Sequence, residues 1–260
     1  MSSRSAAGFF RRIVAFTAFA PVYVASVLPL RAAEVSAAIA ANFTEPAREI
    51  AGLFEKATGH KLILSFGSTG QFYAQITQGA PFDVLLAADR STPEKAVRDD
   101  LAVADSTFTY ATGRLVLFSI DNNRTLNAAT LKDGTFDKIA IANPETAPYG
   151  VAAVETMRNL GVLSSLKPKF VQGNSIAQAY QFVASGNAEL GFVAMSQTVT
   201  LNSGSRWLVP ADLHSPIAQD VVLLKQGANN DAARAFLTFL RSPEARQVIA
   251  KYGYDNAGNP

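Results

Sequence analysis

The sequence predicts an α/β protein built on mainly parallel sheets. Apolar, strand-like runs alternate with segments of helical periodicity from residue 34 almost to the C-terminal end. Four turns, at residues 41–44, 67–70, 147–150 and 174–176, share one pattern: a strand, a few small or polar residues, then a helix. An apolar content of 48% is ample for buried cores. The chain has no low-complexity tract and no short repeat of fixed period.

Residues 1–33 read as a secretory signal peptide and stand apart from the fold. Arg4, Arg11 and Arg12 make a basic start, Ile13 to Leu30 is apolar but broken by Pro21 and Pro29, and Arg31-Ala32-Ala33 leads to Glu34. Without this leader 227 residues remain, which suits one large α/β domain or two lobes. The leader holds four arginines and no acid, so the 23 basic residues fall to 19 against 21 acidic ones, a net charge of −2. The remainder carries no basic stripe for nucleic acid. It has no cysteine, which excludes disulfides, a cysteine nucleophile, a thiolate metal site and a lipid-modified cysteine anchor. His60 and His214 are the two histidines, too few for a histidine-rich metal site.

The first element is a small apolar strand ending near Ala41. Asn42, Phe43 and Thr44 turn the chain into a helix with Ile50, Leu53, Phe54 and Ala57 on one face. Thr44 is the expected N-cap and Pro46 fits the first turn. Lys61 to Phe66 is the next strand, and Gly67-Ser68-Thr69-Gly70 opens a helix beginning near Gln71. The glycines allow close approach of backbone to a ligand, and Ser68 and Thr69 bring hydroxyls to a helix start. This is not a phosphate loop of the Walker type, since its Lys-Ser/Thr ending is missing. Phe82 to Ala88 is a buried strand, followed by a helix from Ser91 through Val97. Asp83 and Asp89 have no recognisable acid or base partner, so neither is assigned to catalysis.

Phe108 to Ala111 and Leu115 to Ile120 are extended runs joined through Thr112-Gly113, compatible with a crossing between lobes. Lys138 to Ala142 is a strand. It runs into Asn143 to Gly150, whose two prolines stiffen the approach to a helix over Val151 to about Leu160. A short extended run at Lys169 to Val171 leads to Gly173-Asn174-Ser175, with Ser175 as the N-cap of a helix from Ile176 to Ala184. Glu189 to Ala194, Arg206 to Val209 and Val221 to Leu224 complete the strands, with Met195-Ser196-Gln197 after the first of them. Asn229-Asn230-Asp231 and Ser242-Pro243-Glu244 start the last two helices. In an open α/β sheet, ligands bind beyond the carboxyl ends of the strands, at such turns. Convergent helix N-termini with no arginine or lysine beside them point to an oxyanion held by neutral donors.

The segments AANFTEPAREIA, SFGSTGQFYAQI, GAPFDVLLAAD, IANPETAPYG and SPEARQVIAKYGY, in this order and spacing, resemble the molybdate-binding proteins of ABC importers, within the type II periplasmic binding protein fold. The match runs from about Glu34 to Tyr254. It implies two α/β lobes joined by crossing hinge strands: 34–111 plus 217–260, and 112–216. It also implies a periplasmic, monomeric binding protein that is not an enzyme and needs no cofactor. Its ligand would be molybdate or tungstate and its partner the membrane subunits of an importer, with no nucleic acid involved. Carried over residue by residue, the first turn falls on Ala41 and Asn42. The second falls on Ser68 and Thr69, with Thr69 the preferred side-chain donor. The third falls on Tyr149 and the fourth on Ile176, both through backbone N–H, with Ser175 beside the latter. No side chain would touch the metal itself. Some members carry a ligand-binding tyrosine where this chain has Ala194, and the Asn42 side chain is expected to replace that donor.

The chemistry of the turns agrees with such a ligand. Molybdate and tungstate are fully deprotonated at neutral pH, so a site of donors alone suits them. Phosphate keeps a proton near pH 7 and would want a carboxylate acceptor. The acids in these turns, Glu45 and Glu145, are explained as helix-start residues. Sulfate binding remains the alternative. A transferase on the same fold is disfavoured by the lack of a nucleophile–base pair, and a regulator's sensor domain by the lack of an attached DNA-binding module.

Overall fold

The computed structural model describes residues 32–255, so the leader lies outside the described residues. The strands form two five-stranded sheets. In the first sheet the order is β2 (Lys61–Gly67), β1 (Glu34–Ala40), β3 (Val84–Leu86), β10 (Ile217–Leu223) and β4 (Phe108–Gly113). In the second it is β7 (Phe170–Gly173), β6 (Ile139–Ala142), β8 (Leu190–Ala194), β5 (Leu115–Ser119) and β9 (Ser205–Leu208). β1 is parallel to β2 and β3, while β10 is antiparallel to both β3 and β4. β6 is parallel to β7 and β8, while β5 is antiparallel to both β8 and β9. In each sheet, then, four strands run one way and the fourth in the order is reversed. The sheets are thus mixed rather than mainly parallel, with four parallel and four antiparallel pairings, because each passage between the sheets delivers a reversed strand.

The chain passes between the sheets twice. β4 keeps its pairing with β10 as far as Gly113, so the first passage is at Arg114. The second lies between β9 and β10 and includes a short 3-10 turn at Ala211–Leu213. The reversed strands β5 and β10 are the ones that directly follow the two passages. β10 bulges between Gln219 and Asp220 against β4.

The helices are α1 (Thr44–Thr58), α2 (Thr69–Thr77), α3 (Ser91–Arg98), α4 (Ala128–Asp133), α5 (Pro148–Asn159), α6 (Leu163–Leu166), α7 (Ile176–Ala184), α8 (Asp231–Phe239) and α9 (Pro243–Lys251). Their apolar faces cover the sheets. On the first sheet, Ile50 and Phe54 of α1 meet Phe236 of α8 and Ile249 of α9, and the Phe54 and Phe236 rings lie edge to face at 5.5 Å. On the second, Ala153 and Met157 of α5 and Val183 of α7 pack on Ile139, Phe192 and Leu117. Each large side chain buried in this way contributes about 1.5–3 kcal/mol. Among the described residues no helix is long and apolar enough to cross a membrane.

Local expectations failed in three instructive places. Thr44 is not an N-cap: it lies inside α1 and its hydroxyl donates to the Ala41 carbonyl at 2.8 Å. The stretch ahead of it is a 3-10 turn over Ala41–Phe43. Helices α4 and α6 were not anticipated, although Asn127 and Thr130 form a reciprocal capping box for α4. Strand β10 starts at Ile217, four residues earlier than expected, because the polar pair Gln219 and Asp220 is buried within it.

Candidate functional site

The four turns are delivered by two pairs of neighbouring strands. β1 and β2 of the first sheet end at Ala40 and Gly67; β6 and β7 of the second end at Ala142 and Gly173. Ser68 is extended and caps α2, with Thr69 the first helical residue. Ala147 is extended, Pro148 occupies the first position of α5, and Tyr149 follows. Ser175 caps α7 as expected, its hydroxyl accepting the Gln178 N–H at 3.4 Å, and Ile176 begins the helix. The two sheets bring these turns face to face.

One cavity lies where they meet. Ala41, Asn42, Ser68, Thr69, Tyr149 and Ile176 all line it, together with small residues such as Ala88 and Ala147. All six residues expected to bind the ligand are therefore gathered at one point. The cavity measures about 10 Å³, close to the least that holds one water, so the turns must draw apart slightly to seat a five-atom oxyanion. This volume is far below the several hundred Å³ of a pocket for an organic substrate. No charged side chain lines it. A larger cleft of about 350 Å³ opens between the sheets nearby, but Asp89, Glu145 and Glu155 line it and would repel an anion.

The donors are distributed unequally. The Ser68 hydroxyl is buried and has no hydrogen-bond partner in the protein. Such a group is costly to bury unless a ligand completes it. The Thr69 hydroxyl accepts the Ala88 N–H at 3.0 Å, which leaves its own proton to donate. The N–H groups of Tyr149 and Ile176 stand in the first turns of their helices, where the helix supplies no acceptor.

Asn42 departs from expectation. Its side-chain amide donates to Gln219 Oε1 at 2.8 Å and to the Tyr254 hydroxyl at 3.0 Å. Both protons are committed, so the side chain is not a donor to the cavity. Its carbonyl accepts the hydroxyls of Ser196 and Tyr254, each at 2.7 Å. What the turn has left for an anion are the N–H groups of Ala41 and Asn42, at the start of a 3-10 turn.

Tyr149 is likewise turned away by its side chain. Gln219 Nε2 donates to its phenol oxygen at 3.3 Å. A Cβ placed on Gly113 would lie 2.1 Å from that oxygen, so the phenol fills a notch beside β4 that only glycine leaves open. Burial raises the Tyr149, Tyr110 and Tyr254 phenols well above the usual tyrosine value, which keeps all three neutral. Gln219, Tyr254 and Ser196 were not identified from sequence. A glutamine inside a fully buried strand is the one local signal that marks any of them.

Residues 35–255 match the family model described as bacterial extracellular solute-binding protein. The chain belongs to this family. Its members bind solutes and are not enzymes. The curated molybdate-binding protein ModA of Rhodobacter capsulatus is 56% identical over 227 residues, covering 87% of this chain and 90% of that protein. The ModA of Azotobacter vinelandii is 54% identical over 232 residues, covering 86% and 90%. Among solved structures, the periplasmic molybdate-binding protein of Azotobacter vinelandii superposes with a TM-score of 0.82 at 38% identity, covering 85% of this chain and 98% of that one. The two-lobed arrangement is the fold of this solute-binding family. Among the described residues, no group of histidines and acids could hold a metal cation directly.

Proposed function

We propose that this chain captures molybdate, and tungstate equally as a tetrahedral dianion, outside the cytoplasm and presents it to the membrane subunits of an ABC importer. The observation that carries the reading is the uncharged cavity where four strand-end turns meet, with the unpartnered Ser68 hydroxyl in its wall. Donors are Ser68 and Thr69 through their hydroxyls, and Ala41, Asn42, Tyr149 and Ile176 through backbone N–H. A fully deprotonated oxyanion offers acceptors to every one of these. The relatives named as molybdate-binding proteins support the choice of ion.

One lobe comprises residues 34–113 plus 217–255 and the other 114–216, two residues beyond the boundary expected at 111 because Thr112 and Gly113 stay paired with β10, with the end of β4 and the start of β10 as the hinge. The protein acts as a monomer and needs no cofactor. Residues 1–33 are the export signal. Mass spectrometry of protein recovered from the native host should find a chain starting near Glu34; recovery of an intact Met1 terminus would exclude processing.

Calorimetric titration tests the ligand. Molybdate and tungstate should bind one to one, and sulfate and phosphate at least about a hundredfold more weakly, a difference near 2.7 kcal/mol. The affinity should be flat between pH 6 and 9. The raised phenols lose their protons only above that range, and no carboxylate or histidine lines the cavity. Tight phosphate binding, or an affinity that changes tenfold across that range, would overturn the assignment.

A further inference from the structure

The turn Met195–Gln197 follows β8 and is none of the four that line the cavity. It is nevertheless hydrogen-bonded to two of them. Ser196 Oγ, almost fully buried, donates to the Asn42 carbonyl at 2.7 Å. Gln197 Nε2 donates to the Ile176 carbonyl at 3.2 Å, while its Oε1 accepts the Ala194 N–H at 2.9 Å. The amide of Gln197 is thus fixed at both ends. The turn itself is tied to the first passage between the sheets, where the Met195 N–H donates to the Arg114 carbonyl at 2.9 Å.

These bonds bear on an anion in two ways. Asn42 follows a first-sheet strand and Ser196 a second-sheet strand, so their bond exists only while the two sets of turns face each other. The Gly70 N–H to Thr146 carbonyl bond, 2.9 Å, has the same character. A carbonyl oxygen facing an oxyanion would also repel it. The Asn42 carbonyl is occupied by two hydroxyls, from Ser196 and Tyr254, and the Ile176 carbonyl is engaged by Gln197. Both turns are thereby fixed with their acceptors satisfied elsewhere and their N–H groups left for the ligand.

We propose that Ser196 and Gln197 are positioning residues for the bound anion: a clip whose Ser196 prong holds the Asn42 turn across the cleft and whose Gln197 prong fixes the Ile176 turn within its own lobe. This deepens the molybdate reading and rests on it. The clip touches no ligand. The Ser196 prong slows release by favouring the arrangement in which the lobes are together and leaves the first encounter with the ion unaffected, while the Gln197 prong acts on the orientation of the Ile176 N–H.

The test uses the full mature chain with molybdate, comparing Ser196→Ala, Gln197→Leu, the double variant and Ser196→Thr. Affinity is read by calorimetry, release and association by stopped flow, and the thermal midpoint is taken without anion. A neutral hydrogen bond corresponds to about three- to tenfold in an equilibrium constant. Ser196→Ala and Gln197→Leu should each weaken binding by about that factor, Ser196→Ala through faster release at an unchanged association rate. The midpoint of the empty Ser196→Ala protein should not move, that of Gln197→Leu should fall because the buried Ala194 N–H loses its acceptor, and Ser196→Thr, which keeps the hydroxyl, should bind more tightly than Ser196→Ala. Affinities within twofold of the unaltered chain, or a Ser196→Ala loss that tracks a lowered midpoint, would overturn the clip alone. Failure of the unaltered chain to bind molybdate would overturn the underlying reading and the clip with it.

Discussion

Replacing Ser68 by alanine is expected to weaken molybdate binding by about ten- to a hundredfold, the value of one hydrogen bond to a charged group. The empty protein should lose no stability. The Ser68 hydroxyl is buried with no partner in the protein, so its removal breaks nothing and relieves an unsatisfied group. Thr69→Ala should lose as much affinity but also lower the thermal midpoint, because the buried Ala88 N–H would be left without its acceptor. Tyr149→Phe is the contrast. Its phenol faces Gln219 and β4, so the backbone donor survives and the affinity should stay within about threefold. Calorimetry and thermal unfolding on the three variants separate these outcomes. An Ser68→Ala protein that binds as well as the parent, beside a Tyr149→Phe protein that does not bind, would mean the donors are wrongly assigned.

The second large effect is expected at Gly150. A Cβ there would lie 2.3 Å from the Ala142 carbonyl oxygen and 2.9 Å from the carbonyl carbons of Ala142 and Asn143. These are backbone atoms at the end of β6, and they have no rotamer by which to withdraw. Gly150→Ala must therefore push the start of α5 away from the strand and carry the Tyr149 N–H with it. The cost to stability should be about 2–3 kcal/mol, as for an overpacked core. The rise in thermal midpoint that molybdate gives the parent should disappear. Gly52→Ala on α1 is the control, since nothing lies within 4 Å of its Cβ position. It should be neutral or slightly stabilising, because alanine is the better helix former. A Gly150→Ala protein with a parental midpoint and a parental molybdate response would refute the close-packing argument.

The fold and the meeting of the four turns at one cavity were legible because each rests on local signals. An apolar run, a few small residues and a helical repeat mark each of the four turns, and such turns converge by the rules of parallel sheets. Ser175, Asn230 and Ser242 cap the helices that sequence assigned to them. The role of Asn42 was not legible in the same way. Its partners Gln219 and Tyr254 lie 177 and 212 residues further along the chain, and nothing near Asn42 announces them. The start of β10 was hidden for a related reason. Gln219 and Asp220 are polar and fell outside the expected strand, yet Gln219 joins the network behind the cavity and Asp220 accepts the Thr109 hydroxyl at 2.6 Å. Burial raises the Asp220 carboxyl above the ordinary range, opposed by the Thr109 hydrogen bond and the Arg90 charge.

The absence of charged side chains from the cavity wall also determines how the protein sorts anions in a salty medium. A cluster of lysines or arginines would project a field over roughly 8–10 Å and gather chloride and other common anions along with the rare one. Fixed dipoles at helix starts act only within the first turn. An ion must already be seated to feel them, and then every donor it fails to satisfy counts against it. Discrimination is thereby shifted from attraction at a distance to fit at contact, where the donors an ion leaves unsatisfied set its affinity.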